Sequence, residues 1–380
     1  WLDQKRWSVR TPVNWLIASL GILSLMSLWI TPLPEVTAPQ VFRLLTGLSL
    51  FFTLVNWLNR PEQAGWIAIG VASIPPVFAV MAMFGVEWSS YKFSIIPASI
   101  YDSFSILMQD TIHPNVLAGN MAVVLPFSFA LLLHPWRDYS IKPIFRIMLK
   151  VFLGVLICFS TVILVLTQSR GAWAAFGLAC GLIVILRFRW GWVGVLLVGI
   201  SSLIAGYYYL DISWLKRWLY SSYMIGDLAS RIELWARGLF MIRDFFFTGI
   251  GMGTFAQTTN TMYPLPGNSP PHVHNLLLQV GVDLGMPGLL VWLAIFMLVT
   301  WSAWRVFRDK DKGNSLRRSL ALGFLGSQAA LALHGMVDCV TWGMVRPAPL
   351  IWGLWGACIG ISLIESRHPT TGAKNAATVV

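Results

Sequence analysis

The residues best suited to chemistry stand together in positions 270–288. His272, His274 and Asn275 open an apolar run that Gly285, Pro287 and Gly288 close. Imidazole titrates near neutral pH, so His274 is a candidate proton acceptor. Ser269 suits a helix cap and Pro270 a first helical position, so the spacing predicts a short helix over about 270–284, broken at 285–287. His274 then lies near a helix N-terminus, where orphan N–H groups and the macrodipole favour an anion. A lone interfacial histidine bonded to a loop carbonyl is the bland alternative.

The cationic partners lie elsewhere in the chain. Arg170 follows Thr167, Gln168 and Ser169 and precedes Gly171, Ala172 and Trp173, a tight turn between two apolar runs. A charge at membrane depth lines a cavity, pairs with a partner or snorkels to headgroups. Arg231, Trp235, Gly238 and Ile242 fall on one stripe of a helical pattern over 228–246, with Arg237 pointing about 120° away at 3.6 residues per turn. At most one of the two arginines therefore faces a common pocket, and Arg231 is preferred. Asp338 and Arg346 either pair with each other or bind a substrate. Asn115, after His113 and Pro114, reads as a helix cap. Tyr207, Tyr208, Tyr209, Trp214, Trp218, Tyr220 and Tyr223 form an interfacial belt or stack on sugar rings. Gly249, Gly251 and Gly253 make a poor nucleotide signal, because no strand–helix unit surrounds them, and read better as a tight turn.

These residues need a membrane framework. Of 380 residues, 56% are hydrophobic and 11% charged, against about 25% charged in soluble domains. The fold class expected is all-α and polytopic, with about ten spans near 13–30, 41–58, 65–84, 116–133, 147–167, 171–186, 192–210, 274–304, 319–337 and 347–364. Placing the N-terminus in the cytoplasm leaves 18 of the 27 Lys and Arg residues on inside segments with six acids, and the other nine outside with ten acids. Every inside segment then carries Lys or Arg, so the positive-inside rule predicts an N-in, C-in chain with His274 outside. This distribution also accounts for the net charge of +11 without nucleic acid. The chain divides into helices 1–7 (1–210), a long helical extracytoplasmic loop (211–273), helices 8–10 (274–365) and a polar tail (366–380) expected to be disordered. The basic segment 305–318 is a topology determinant and a contact for membrane lipids. Cys158, Cys180, Cys339 and Cys358 lack metal-ligand spacing, and no metal or cofactor is implied.

His274, Asn275, nine further residues, then Gly285-x-x-Gly288 resembles the motif of the O-antigen ligase/polymerase superfamily of membrane glycosyltransferases. Ser169-Arg170-Gly171 with Ala172-Trp173, residues 230–235 and residues 248–255 are similar to other signatures of the same superfamily. One departure is that Leu234 stands three residues after Arg231, where some ligases place the leucine four after the arginine. The resemblance implies a GT-C-like architecture in a bacterial inner membrane, with the site facing the periplasm. It implies a donor glycan on polyprenyl (undecaprenyl) diphosphate and an acceptor hydroxyl on lipid A-core or another glycan. His274 would be the base, Arg170 and Arg231 the pyrophosphate clamps, and Asn275, Arg237, His272, Asp338 and Arg346 further substrate-binding residues. Transfer would be metal-independent and inverting. Ligase is the first expectation and polysaccharide polymerase the second. The rival from another class is an inorganic-carbon (bicarbonate) transport protein, because residues 333–338 and 346–347 look similar to such superfamily members. Mid-span ionisable residues, which a transport path needs, are almost absent.

Overall fold

The computed structural model describes residues 8–88, 96–136, 142–209, 222–264, 270–309, 315–342 and 349–367. The helices are α1 (Asn14–Ile30), α2 (Pro34–Trp57), α3 (Gln63–Gly85), α4 (Ala98–Asp102), α5 (Pro114–Leu132), α6 (Pro143–Leu166), α7 (Arg170–Arg187), α8 (Gly191–Tyr209), α9 (Ser222–Asp244), α10 (Phe255–Met262), α11 (Leu276–Arg308), α12 (Ser315–Gly335) and α13 (Pro349–Arg367). Among the described residues there is no strand, only an isolated bridge between Val86 and Ile112. Six helices, α2, α3, α5, α6, α7 and α11, are long and apolar enough to cross a membrane, and α1, α8 and α13 contain shorter apolar stretches. This is a helical membrane protein.

The elements follow from the apolar stretches read above, with one adjustment. α2 starts at Pro34 rather than near 41, because Pro34 suits a first turn and Glu35 favours the positive end of the helix. α3 continues through Pro75 and Pro76. The tail after 367 lies outside the described residues.

Helix α5 is almost wholly buried, and packs against α3, α6, α7 and α12. Helix α12 in turn packs against α7 and α11, and α13 against α2. Small residues permit these approaches: a Cβ on Gly47 would lie 2.3 Å from the Trp352 ring, and one on Gly323 2.7 Å from Phe127. Between apolar helices in lipid such close packing, rather than water exclusion, drives association.

α11 is two helices joined at a kink. Gly285 has φ 69° and ψ −176°, a region open only to glycine. The kink is held by the turn after α9. Met286 N–H donates to the Phe246 carbonyl at 2.8 Å, and Ile250 N–H to the Val282 carbonyl at 2.9 Å. Gly249, Gly251 and Gly253 all have positive φ, as a tight turn requires, and a Cβ on Gly249 would sit 2.5 Å from the Asp283 carbonyl oxygen. The loop helix α9 is thereby fastened to the start of α11.

Candidate functional site: an imidazole–carboxylate cavity joined to an arginine cleft

The helix that follows the histidines begins later than the spacing predicts. Asn275 is its N-cap: Oδ1 accepts from Leu278 N–H at 3.1 Å, so α11 starts at Leu276 and not at Pro270. An asparagine cap placed directly before the apolar run outcompetes an upstream serine. Gln279, on the first turn, reaches back so that its Oε1 accepts from Val273 N–H at 2.9 Å. The Asn275 Nδ2 donates to the Met336 carbonyl at 3.1 Å, which ties the cap to the loop after α12. His274 is therefore not helical. It sits at φ 52°, a conformation uncommon for a side-chain-bearing residue and sustained only where the surroundings over-determine it. Here both neighbours are pinned, Val273 by Gln279 and Asn275 by the cap.

This backbone brings three titratable side chains together. His274 Nδ1 lies 3.5 Å from Asp338 Oδ1, with Asp338 7% exposed. At that separation the coupling is electrostatic, because among the described residues His274 Nδ1 has no hydrogen-bond partner. The two imidazole rings meet edge-on, 4.2 Å between centroids. Asp338 is held by its own turn, accepting from Cys339 N–H at 2.8 Å. Burial pushes His272 down to about 4, helped by the neighbouring His274 and opposed by Asp338. Burial would raise Asp338, but His274, His334 and His272 outweigh it and hold the carboxyl at about 2. The arrangement is a buried carboxylate facing imidazoles, the usual setting for a proton acceptor.

These three residues, with His113 and Asn115 at the start of α5, line a cavity of about 560 Å³. The ligand atoms of His272, His274 and Asp338 all lie within 4.8 Å of one another. Two imidazole nitrogens and one carboxylate oxygen are a donor set suited to zinc or another transition-metal ion, which the spacing in the sequence does not announce.

A second cavity of about 140 Å³ lies alongside, lined by Arg170, Arg231, Gln168, Ser169 and His334. The two cavities share two walls, Asn115 and Asp338. Arg170 is the first residue of α7. The turn before it is set by Gln168, at φ 53°, whose Nε2 donates to the Tyr101 hydroxyl at 2.6 Å. That hydroxyl donates in turn to the Leu166 carbonyl at 3.0 Å. Arg231 arrives from α9. Leu234, Met241 and Ile242 of that helix are buried in one cluster with Val273 and Val282, and a Cβ on Gly238 would lie 2.9 Å from Val273. The stripe containing Arg231 is thus the inward one. Arg237 points elsewhere, as its helical position requires: it pairs with Glu233 at 3.5 Å and donates to the Pro264 carbonyl at 3.4 Å.

Of the residues singled out from the sequence, His272, His274, Asp338, Arg170 and Arg231 line the joined cavities. Asn275 caps α11 beside them, and Arg237 lines neither. Arg346, the alternative partner of Asp338, lies outside the described residues; Asp338 has His274 beside it. Asn115 is not the cap of α5. His113 is, its Nδ1 accepting from Asn115 N–H at 3.2 Å, because Pro114 takes the first helical position. Trp214, Trp218 and Tyr220 fall outside the described residues, as do the side chains of Tyr209 and Tyr223, while Tyr207 and Tyr208 are exposed. His113 and Gln168 carried no signal as lining residues. His334 was visible only as a histidine near the end of a span; space for its ring comes from Gly119, where a Cβ would lie 2.6 Å away.

The O-antigen ligase family model matches residues 153–293. The matched segment contains both cavity arginines, the glycine turn, His272, His274 and the kink at Gly285. His113, Asn115, His334 and Asp338 lie outside it. No curated protein matches the chain.

Proposed function

We propose that the chain, of which residues 153–293 match the O-antigen ligase family model, moves a glycan from a polyprenyl diphosphate to an acceptor hydroxyl at the periplasmic face of a bacterial inner membrane. The observation that carries this reading is the common wall. Asn115 and Asp338 border both the arginine cleft and the imidazole cavity, so a diphosphate held by Arg170 and Arg231 would present its sugar to the region of His274. Ten membrane crossings, N-in and C-in, would put this site outside, consistent with the charge asymmetry of the loops.

In this reading the smaller, cationic cleft takes the diphosphate, for which guanidinium forks are well shaped. The larger cavity takes the acceptor sugar. His274 accepts the proton of the acceptor hydroxyl as its oxygen forms a bond to the anomeric carbon. The bond from that carbon to the diphosphate breaks on the opposite side, inverting configuration, and polyprenyl diphosphate leaves with the electron pair. The two arginines stabilise the charge on the departing group. Asp338 stabilises the imidazolium, and a proton on Nδ1 facing Asp338 leaves Nε2 as the accepting atom. The donor is already activated, so one base and charge stabilisation suffice and no step needs a metal.

The test is transfer by the purified protein in lipid nanodiscs. Polyprenyl-diphosphate glycan is supplied with either a lipid A-core acceptor or a second glycan repeat, and products are read by mass. Transfer to the first acceptor identifies a ligase, and chain growth on the second a polymerase. His274→Ala should lower the rate by about 10² to 10⁴, the usual worth of a general base. Absence of transfer to either acceptor, or full activity of the alanine variant, defeats the proposal.

A further inference from the structure

A fully buried acidic side chain at this end of the molecule takes no part in that chemistry. Asp283 lies on α11, is 0% exposed, and sits two residues before the kink. A carboxylate at such a place is costly, and an apolar side chain of similar size would pack without that cost. Three N–H donors converge on it, each from a different segment. Gln279 Nε2 donates to Oδ1 at 2.9 Å. Trp342 Nε1 donates to Oδ2 at 2.8 Å. The backbone N–H of Gly253, in the glycine turn, makes a longer contact to Oδ1 at 3.4 Å.

Two of the three donors lead to the site. The Gln279 amide is oriented from both ends, its nitrogen donating to Asp283 while its oxygen accepts from Val273 N–H; Val273 immediately precedes His274. Trp342 closes a turn onto the Cys339 carbonyl at 3.0 Å, and Cys339 is bonded to Asp338 through its own N–H. One carboxylate thus fixes, by two short chains of bonds, the backbone on both sides of the 3.5 Å gap between His274 and Asp338.

We propose that Asp283 is a positioning residue that sets the separation and orientation of the His274–Asp338 pair by clamping the segments 273–275 and 338–342 to α11. The proposal rests on His274 acting as the base. Both carboxyl oxygens serve as acceptors here: an asparagine would turn an N–H toward one of the donors, leaving a buried donor facing a donor.

The experiment compares wild type, Asp283→Asn and Trp342→Phe in nanodiscs, measuring kcat and the donor KM separately. Asp283→Asn should lower kcat by roughly 10- to 100-fold, with donor KM changed less than threefold because Arg170 and Arg231 do not depend on the clamp. Trp342→Phe keeps the carboxylate and its other donors, so a smaller loss of roughly 3- to 10-fold in kcat at unchanged donor KM is expected, and it carries the test alone if the asparagine variant does not fold. Wild-type kcat in the folded variants, or a loss confined to donor KM, overturns the positioning role. His274→Ala measured alongside separates the two failures: if it keeps full transfer, the base assignment is wrong, whereas its loss with intact Asp283→Asn and Trp342→Phe rejects the clamp alone.

Discussion

Replacing Asp338 by Asn probes the imidazole–carboxylate pair with little steric change. The amide oxygen can still accept from Cys339 N–H, so the local turn survives, but the negative charge is lost. At the 3.5 Å separation seen here, an effective dielectric of about 20 gives roughly 4–5 kcal/mol of attraction between Asp338 and a full imidazolium. If proton transfer is about half complete at the transition state, roughly 2 kcal/mol of that is at stake, or about 30-fold in kcat. The donor should respond in the opposite sense. Asp338 also walls the arginine cleft, where its charge repels a diphosphate, so donor KM should stay level or fall. Steady-state transfer kinetics in nanodiscs, with donor and acceptor varied independently, separate the two effects. A kcat within threefold of wild type would refute the stabilising role. A raised donor KM at unchanged kcat would make Asp338 a substrate-binding residue instead.

The two loop arginines should behave differently: Arg231→Lys should raise donor KM about tenfold by losing the guanidinium fork, whereas Arg237→Lys should change it less than threefold, checked by the same kinetics. Acid should destabilise the site through His272, whose pKa is pushed down from 6.5 to about 4. Its neutral form is the one the fold favours, so this contribution is complete above about pH 6.5 and lost as pH falls through about 4, worth about 3 kcal/mol. Asp338, held at about 2, loses its own contribution only in stronger acid. Thermal melting of wild type between pH 7 and 4 should therefore fall more steeply than that of His272→Gln. Micromolar Zn²⁺ should inhibit transfer by occupying the imidazole lone pairs; chelation should reverse it, and His272→Ala should weaken the inhibition by about tenfold or more, read as the midpoint of a zinc titration.

How far the sequence carries is clearest at particular residues. Long apolar stretches determined the helices, because a backbone in lipid must satisfy its own hydrogen bonds, and the break at Gly285 was legible from the Gly-x-Pro-Gly run. Helical periodicity separated Arg231 from Arg237, since six residues cannot return to the same face. The start of α11 is not decided locally, because Ser269-Pro270 and Asn275 are both credible signals and the choice between them lies in Gln279 and Met336, which bond to Val273 and to Asn275. His274 at positive φ, Asp338 beside it and the Asp283 clamp had no local signal at all. Those pairings join positions about 60 residues apart, and Arg170 reaches the same cleft from a different helix. Only the packing of α5, α7, α9, α11 and α12 decided them, because electrostatic and hydrogen-bonding geometry depends on distances that sequence separation does not encode.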